Sequence, residues 1–206
     1  INNKYSFKFR NTYLFRIFNK NWKRGGRFYR GVESNMPGET RKRFYIDGRP
    51  TVELDYGATH FIMLYNLKGF QLRKDPYIVE PGTNEDMRNL YKKVGFISLN
   101  AKNETSALLA LHKEIRKNEK FKRLFPNNSK EDRLSLIRKF KQRNSRIQDS
   151  LFKEKCHMLT NYDSKIANDV LIHFTKKRIP CPCVHDSFII QRIHKDELRK
   201  VMKKFY

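Results

Sequence analysis

The chain has 206 residues and carries 45 lysines and arginines against 21 aspartates and glutamates, a formal charge of +24. Hydrophobic content of 38% and aromatic content of 13% can furnish a core, which excludes wholesale disorder despite a mean hydropathy of −0.79. The length fits one compact domain, or one with an insertion, and the charge points to a polyanion: nucleic acid first, an anionic membrane surface second. No apolar stretch is long enough to span a bilayer, no secretory signal follows Ile1, and a chain running from Ile1 to Tyr206 is expected to be a fragment.

Residues 1–24 alternate aromatic, apolar and basic side chains (Tyr5, Phe7, Phe9, Tyr13, Phe15, Ile17), a pattern for a strand pair or for a strand and a helix. Residues 25–50 carry Gly25-Gly26, Gly31, Pro37-Gly38 and Asp47-Gly48-Arg49-Pro50, the punctuation of a turn-rich β segment. Within it, 43–46 and 51–55 flank a hairpin turn. The spacing of Phe61, Leu64, Tyr65 and Leu67 predicts a helix over 59–67. A loop with Gly69, Pro76, Pro81 and Gly82 follows over 68–84, and Asn84 is placed to cap a helix beginning near Glu85. Two or three basic helices are expected through about Lys155, broken at Pro126-Asn127-Asn128. Ile166, Val170 and Phe174 predict an amphipathic helix over 163–177. Residues 179–193 read as strand and 196–205 as a closing helix. The order is that of an α+β domain, with no internal repeat and no low-complexity linker.

Cys156, Cys181 and Cys183 leave one thiol over after any single bridge. The Cys181-Pro182-Cys183 spacing is too tight for a zinc knuckle, and no second cysteine pair exists. Buried thiols in an intracellular, reducing compartment are the expectation.

Two aspartates end strand-like apolar runs: Asp55 after Thr51-Val52-Glu53-Leu54, and Asp186 after Cys183-Val184-His185. Such a pair on adjacent strands can hold two Mg²⁺ ions, one activating an attacking oxygen and one stabilising a leaving group. A strand-end aspartate is also a common turn or capping residue, and both readings stand on spacing alone. Between the two, Arg88, Lys92, Phe96 and Asn100 recur every four residues along one drifting helix face. Two cations a turn apart suit a nucleoside triphosphate, and Phe96 offers an apolar surface to its base or sugar. A solvated helix face is the plainer alternative.

These elements together resemble family A DNA polymerases and their relatives, the phage-type single-subunit RNA polymerases. The fingers helix of that family reads Arg-x3-Lys-x3-Phe-x3-Tyr-Gly. This chain has Arg88-x3-Lys92-x3-Phe96-x3-Asn100-Ala101, matching three positions and departing at two. Asp55-Tyr56-Gly57 resembles the Asp-Tyr-Ser of motif A. Val184-His185-Asp186-Ser187-Phe188 resembles motif C, which is Val-His-Asp-Glu in the DNA enzymes and His-Asp-Ser-Phe in the RNA enzymes. His194-Lys195-Asp196 looks like the DNA-enzyme continuation. Upstream, Gly25-Gly26-Arg27 resembles a Thr-Gly-Arg element that contacts primer–template, and Asn35-Met36-Pro37 resembles Asn-Ile-Pro. The matches keep the family's order over residues 25–206.

The resemblance implies a polymerase palm with an antiparallel sheet and a reduced helical fingers insertion. Its division is an N-terminal segment 1–24 (a remnant thumb or truncated region), palm 25–67 with motif A, fingers-like insertion 68–155, and palm 156–206 with motif C. Asp55 and Asp186 would hold two Mg²⁺ ions, for which Mn²⁺ can substitute. Arg88 and Lys92 would grip the triphosphate of a dNTP or NTP, with Tyr56, Phe96, His60 and Asn100 completing the nucleotide contacts. Gly26, Arg27 and His185 would touch a DNA or RNA primer–template. Catalysis would be electrostatic positioning for in-line attack by a 3′-hydroxyl.

Departures from the family bear on the substrate. His60 replaces the glutamate that excludes the ribose 2′-hydroxyl in the DNA enzymes, and Asn100 replaces the fingers tyrosine. Asp163, in Tyr162-Asp163-Ser164, precedes the helix that carries a template-contacting glutamine in the DNA enzymes, and an N-cap role is its plainer reading. Nothing resembles a proofreading exonuclease or a full thumb. The basic residues of 113–155, among them Lys120 and Lys139, are expected to contact phosphate, or a protein partner or missing N-terminal region supplies the thumb. A DNA polymerase is the first expectation. An RNA polymerase or primase-like enzyme, a template-independent transferase, and an inactive nucleic-acid-binding palm are its rivals. No membrane partner is expected.

Overall fold

The computed structural model describes residues 14–29 and 36–206, and the chain is an α+β protein with antiparallel sheets. Tyr5, Phe7, Phe9, Tyr13, Gly31 and Asn35 lie outside the described residues. Contacts divide the chain into two units, Ile1–Gly57 with Thr160–Tyr206, and Ala58–Leu159. The expected palm boundary after residue 67 and this division differ by one helix. The apolar side of Thr59–Leu67 packs within the second unit, where the Phe61 ring meets those of Tyr77 and Phe140 at 5.6 Å.

The first unit opens with β1 (Phe15–Phe18) and β2 (Gly25–Tyr29), an antiparallel pair. A short helix, α1 (Gly38–Arg41), precedes β3 (Tyr45–Ile46) and β4 (Arg49–Asp55). Asp47 and Gly48 join these strands with φ of 49° and 72°, the left-handed pair that a two-residue Asp-Gly hairpin turn requires. The expected single strand over 179–193 is in fact three elements. They are β5 (Cys183–Val184), β6 (Ser187–Gln191) and a 3₁₀ turn Arg192–His194. The break falls at His185, whose φ of 61° starts a two-residue hairpin and moves Asp186 from a strand into a turn. The four strands lie in the order β3-β4-β6-β5.

Strand alternation divides the residues of β4 between the two faces of this sheet. Val52 and Leu54 pack against a core of Val170, Phe174, Phe188, Ile190, Leu198 and Met202, leaving Thr51, Glu53 and Asp55 on the other side. Two helices supply that core: α7 (Cys156–Lys176), from Thr160 onward, and α8 (Lys195–Phe205). Cys181 and Cys183 are buried, and no disulfide joins them to each other or to Cys156. Burial pushes the Cys181 thiol up to about 12, with the neighbouring Cys183 adding to the shift.

The second unit is helical. After α2 (Thr59–Leu67), a loop leads to α3 (Glu85–Asn100), α4 (Glu104–Lys117), α5 (Glu119–Leu124), α6 (Lys130–Arg143) and a 3₁₀ segment Ser145–Ser150. The basic region is therefore more finely divided than expected. Asn84, Asn103, Asn118 and Ser129 each accept backbone N–H bonds at a helix start, which fixes the division. Gly95 lets α3 meet its neighbours closely, since a Cβ there would lie 3.0 Å from the rings of both Phe61 and Phe140. No helix among the described residues is long and apolar enough to cross a membrane.

Candidate functional site

The polar face of β4 and the β5–β6 turn line one cavity of about 670 Å³. Asp55 and Asp186 both belong to its wall, with Glu53, Ser187, Arg41 and Arg192 among the other lining residues. Register explains the convergence: Asp55 stands opposite Ser187 in the β4–β6 ladder, and Asp186 is the residue immediately before Ser187. Strand pairing thus joins carboxylates that are far apart in sequence.

Glu53, two residues before Asp55 on the same face, is a third carboxylate at this cavity. It is occupied. Arg41 donates from Nη2 to Oε1 at 2.8 Å and from Nε to Oε2 at 3.0 Å, and Ser187 Oγ donates to Oε1 at 2.5 Å. Burial opposes ionisation of Glu53, but the bonds from Arg41 and Ser187 outweigh it and hold the carboxyl below its ordinary range.

His185 is half-buried at the left-handed position of the turn, its ring edge-on to Tyr29 at 6.3 Å. Its buried Nδ1 finds no hydrogen-bond partner among the described residues. Burial lowers its pKa below the ordinary 6.5, and the Arg27 charge adds to this against the opposing pull of Asp186 and Asp163. The ring is thereby kept neutral beside a carboxylate and a guanidinium.

Arg27 is held by Asp163, with Nη2 to Oδ2 at 2.6 Å and Nε to Oδ2 at 3.3 Å. Asp163 is not an N-cap. Its helix starts at Cys156, so the carboxylate emerges about two turns inside, with its side chain only 2% exposed. The same stretch of α7 holds the β1–β2 hairpin through Asn161 Nδ2, which donates to the carbonyls of Trp22 and Gly25, both at 3.0 Å. Arg16 donates to Gly26 O at 2.6 Å and to Ser164 Oγ at 2.8 Å. Gly26, at φ 100°, leaves no room for a side chain: a Cβ would sit 2.7 Å from the Phe18 ring.

Tyr56, the next residue after Asp55, packs its ring against Phe188 and Tyr206, and its hydroxyl donates to Met202 O at 2.7 Å. Burial pushes this phenol above its ordinary pKa. Tyr56 therefore does not join Asp55 at the cavity wall described above.

In the helical unit, Lys92, Phe96 and Asn100 are all exposed on α3, Phe96 by 59%. Asn100 Nδ2 donates to the Phe96 carbonyl at 2.8 Å. Arg88 is tied to the preceding loop by Asp75, with Nη2 to Oδ2 at 2.8 Å, and this hydrogen bond raises its pKa. His60 lies half-buried on the first turn of α2. Lys120 pairs with Asp86 at 3.3 Å and Lys139 with Glu80 at 2.9 Å, so part of the charge of each is met within the fold.

Sequence reasoning missed Glu53, Arg41 and Arg192. The alternation Thr51, Glu53, Asp55 carries the signal for Glu53, because period-two spacing puts all three on one strand face. The other two arrive from separate elements and have no local signature.

Among the described residues, no three His, Cys, Asp or Glu side chains gather as a metal cage. Two oxygen donors, with the remaining positions left to water and phosphate, are an ordinary arrangement for Mg²⁺. Asp55 and Asp186 fit that donor chemistry. No protein family's sequence profile matches the chain, and no curated protein matches it.

Proposed function

We propose that the chain is a minimal palm-and-fingers nucleotidyltransferase resembling family A polymerases, extending a nucleic-acid 3′ end, with DNA synthesis as the first reading. The observation that carries this is the meeting of Asp55 and Asp186 at one cavity, across paired antiparallel strands, in a chain of charge +24. The helical unit between Gly57 and Thr160 in sequence supports the same layout, as fingers inserted into a palm.

Asp55 and Asp186 hold divalent metal in this reading. Bound Mg²⁺, or Mn²⁺ in its place, supplies charge neutralisation at the attacking and leaving oxygens. Arg41 keeps Glu53 occupied and limits the negative charge facing an incoming triphosphate. Arg192 and Lys42 add positive charge to the cavity wall. The resemblance assigns His185 and Arg27 to the primer end, and Asp163 orients Arg27 for that strand. On the helical unit, the resemblance assigns Arg88 and Lys92 to the triphosphate, Phe96 to the sugar, and His60 and Asn100 to sugar and template discrimination. No side-chain nucleophile takes part, since positioning and charge stabilisation carry phosphoryl-type transfer.

An RNA polymerase or primase-like activity is the second reading, favoured by His60 in place of a glutamate and by Ser187-Phe188 after Asp186. Primer extension with labelled dNTPs or NTPs, with and without template, separates the two and also tests template dependence. Asp55→Ala and Asp186→Ala should each abolish incorporation. Incorporation surviving both substitutions contradicts the assignment, and no incorporation by wild type with any substrate favours a nucleic-acid-binding palm without catalysis.

A further inference from the structure

We propose that the β1–β2 turn is a stacking platform for an unpaired base of a single-stranded nucleic acid, with Trp22 as the platform and Lys20, Lys23 and Arg24 gripping adjacent phosphates. The inference shares with the polymerase reading the expectation of a nucleic-acid partner, but it does not depend on the two aspartates.

Trp22 is 79% exposed, the most exposed of the large hydrophobic side chains described. Its indole presents to solvent a large, rigid aromatic face of the kind on which a nucleic-acid base stacks. Its exposure does not come from a frayed loop. Asn19 N donates to Arg24 O at 2.8 Å, Arg24 N to Asn21 O at 3.2 Å, and Lys23 N to Asn21 Oδ1 at 3.0 Å. Asn161 of α7 holds the Trp22 carbonyl at 3.0 Å. The ring rests edge-on against Phe18, with centroids 4.7 Å apart and planes 65° apart. The backbone carrying Trp22 is therefore fixed and its indole braced before any partner arrives, which lowers the ordering cost of binding.

Charge selects the partner. Residues 14–29 include Arg16, Lys20, Lys23, Arg24 and Arg27, and no aspartate or glutamate. An aromatic ring among cations is the arrangement that holds single strands, where bases stack and phosphates meet positive charge. The rest of the tip argues against membrane insertion. Asn19, Lys20, Asn21 and Lys23 flank Trp22 in sequence, and Phe18, whose ring supports the indole edge-on, is itself half-buried, so the tip presents one aromatic among polar and basic side chains. Along the interior of a duplex the stacked bases offer the indole no open face, so the preference is for single strands.

Trp22 is the sole tryptophan of the chain, so its fluorescence reports this site alone. The test titrates the wild-type chain, without metal or nucleotide, with oligo(dT), a sugar-phosphate strand of equal length lacking bases, a duplex whose ends are closed by non-nucleotide linkers, and vesicles of anionic lipid. Oligo(dT) should quench the emission saturably, and the other three should leave it largely unquenched. Trp22→Ala should weaken oligo(dT) binding, followed by anisotropy of a labelled strand, about 10- to 100-fold, with Trp22→Phe retaining most of the affinity. Equal quenching by the base-free strand, or unchanged binding by Trp22→Ala, overturns the proposal. So does a vesicle-induced blue shift with no response to oligo(dT), which would make the turn a membrane contact. Quenching that persists in Asp55→Ala/Asp186→Ala, whatever the outcome of primer extension, supports this site separately from the catalytic reading. Primer extension by a wild-type chain whose emission ignores oligo(dT) removes this site and leaves that reading intact.

Discussion

Ser187 donates its hydroxyl hydrogen to Glu53 at 2.5 Å, across the same strand pair in which Ser187 stands opposite Asp55. The bond occupies one carboxylate of the cavity face beside the two proposed for metal. Glu53 is therefore a structural charge in this account, set between Arg41 and Ser187.

Its carboxyl is held below the ordinary value, so the folded state binds this proton less readily than the unfolded chain. The stabilisation is present above the unfolded pKa, near 4.5, and is lost as pH falls through the lower folded value. Glu53→Gln should cost about 2 kcal/mol at neutral pH. Urea unfolding of both proteins should give curves that converge as pH drops below about 4.5. A gap that stays constant down to acid pH would show that Glu53 is not ionised in the fold.

Asp163 and Arg27 supply the second prediction. Removing a nearly buried carboxylate's partner, or the carboxylate itself, leaves an uncompensated charge. Asp163→Ala should destabilise the protein by about 3 kcal/mol. The double variant Arg27→Met/Asp163→Leu should recover part of that loss, because no isolated charge remains. Chemical denaturation of Arg27→Met, Asp163→Leu and the double variant checks it, and additive losses would contradict a coupled pair.

His185 should titrate below 6.5, because burial and Arg27 both oppose its protonation. Arg27→Ala removes one of those influences and leaves Asp186 and Asp163 to favour the imidazolium, so the pKa should rise. Imidazole chemical shifts followed by NMR across pH read this directly. The sign for stability is the same as for Glu53. Above 6.5 the neutral ring costs nothing, and lowering pH through 6.5 toward the folded value weakens the fold.

How much of this was legible in sequence depends on whether the cause was local. Asp-Gly at 47–48 and the Asn84 cap are short-range signals, and the turn and the helix start appear where those residues put them. The hairpin at His185 was not legible, because His185-Asp186 lacks the glycine or asparagine that marks two-residue hairpin turns, although histidine tolerates the φ of 61° found there. The early start of α7 was hidden for the opposite reason. Asp163 resembles a cap, yet its carboxylate is claimed by an arginine 136 residues away. The convergence of Arg41 and Glu53 with Ser187 needs the β4–β6 register, a long-range pairing that no window of sequence contains. Asp55 and Asp186 were found as types of residue at strand ends; their meeting at one cavity is a property of that register.

The two glycines Gly26 and Gly57 separate backbone strain from crowding. Both have positive φ, but a Cβ on Gly57 meets open space, whereas one on Gly26 meets the Phe18 ring and Arg16. Gly57→Ala should cost roughly 1 kcal/mol and Gly26→Ala roughly 3 kcal/mol. Thermal melts of the two variants test the ordering. Equal losses would mean that the β1–β2 hairpin yields freely around Phe18.

The most direct test of the central claim is a count of bound Mn²⁺ by electron paramagnetic resonance. It uses wild type and Asp55→Asn/Asp186→Asn, each with primer–template and a non-reactive nucleotide analogue. The substitutions keep side-chain volume, and a thermal melt checks that the fold survives. Wild type should bind about two ions per chain, and the double variant should lose both. An unchanged count in the folded double variant would contradict the two-metal assignment.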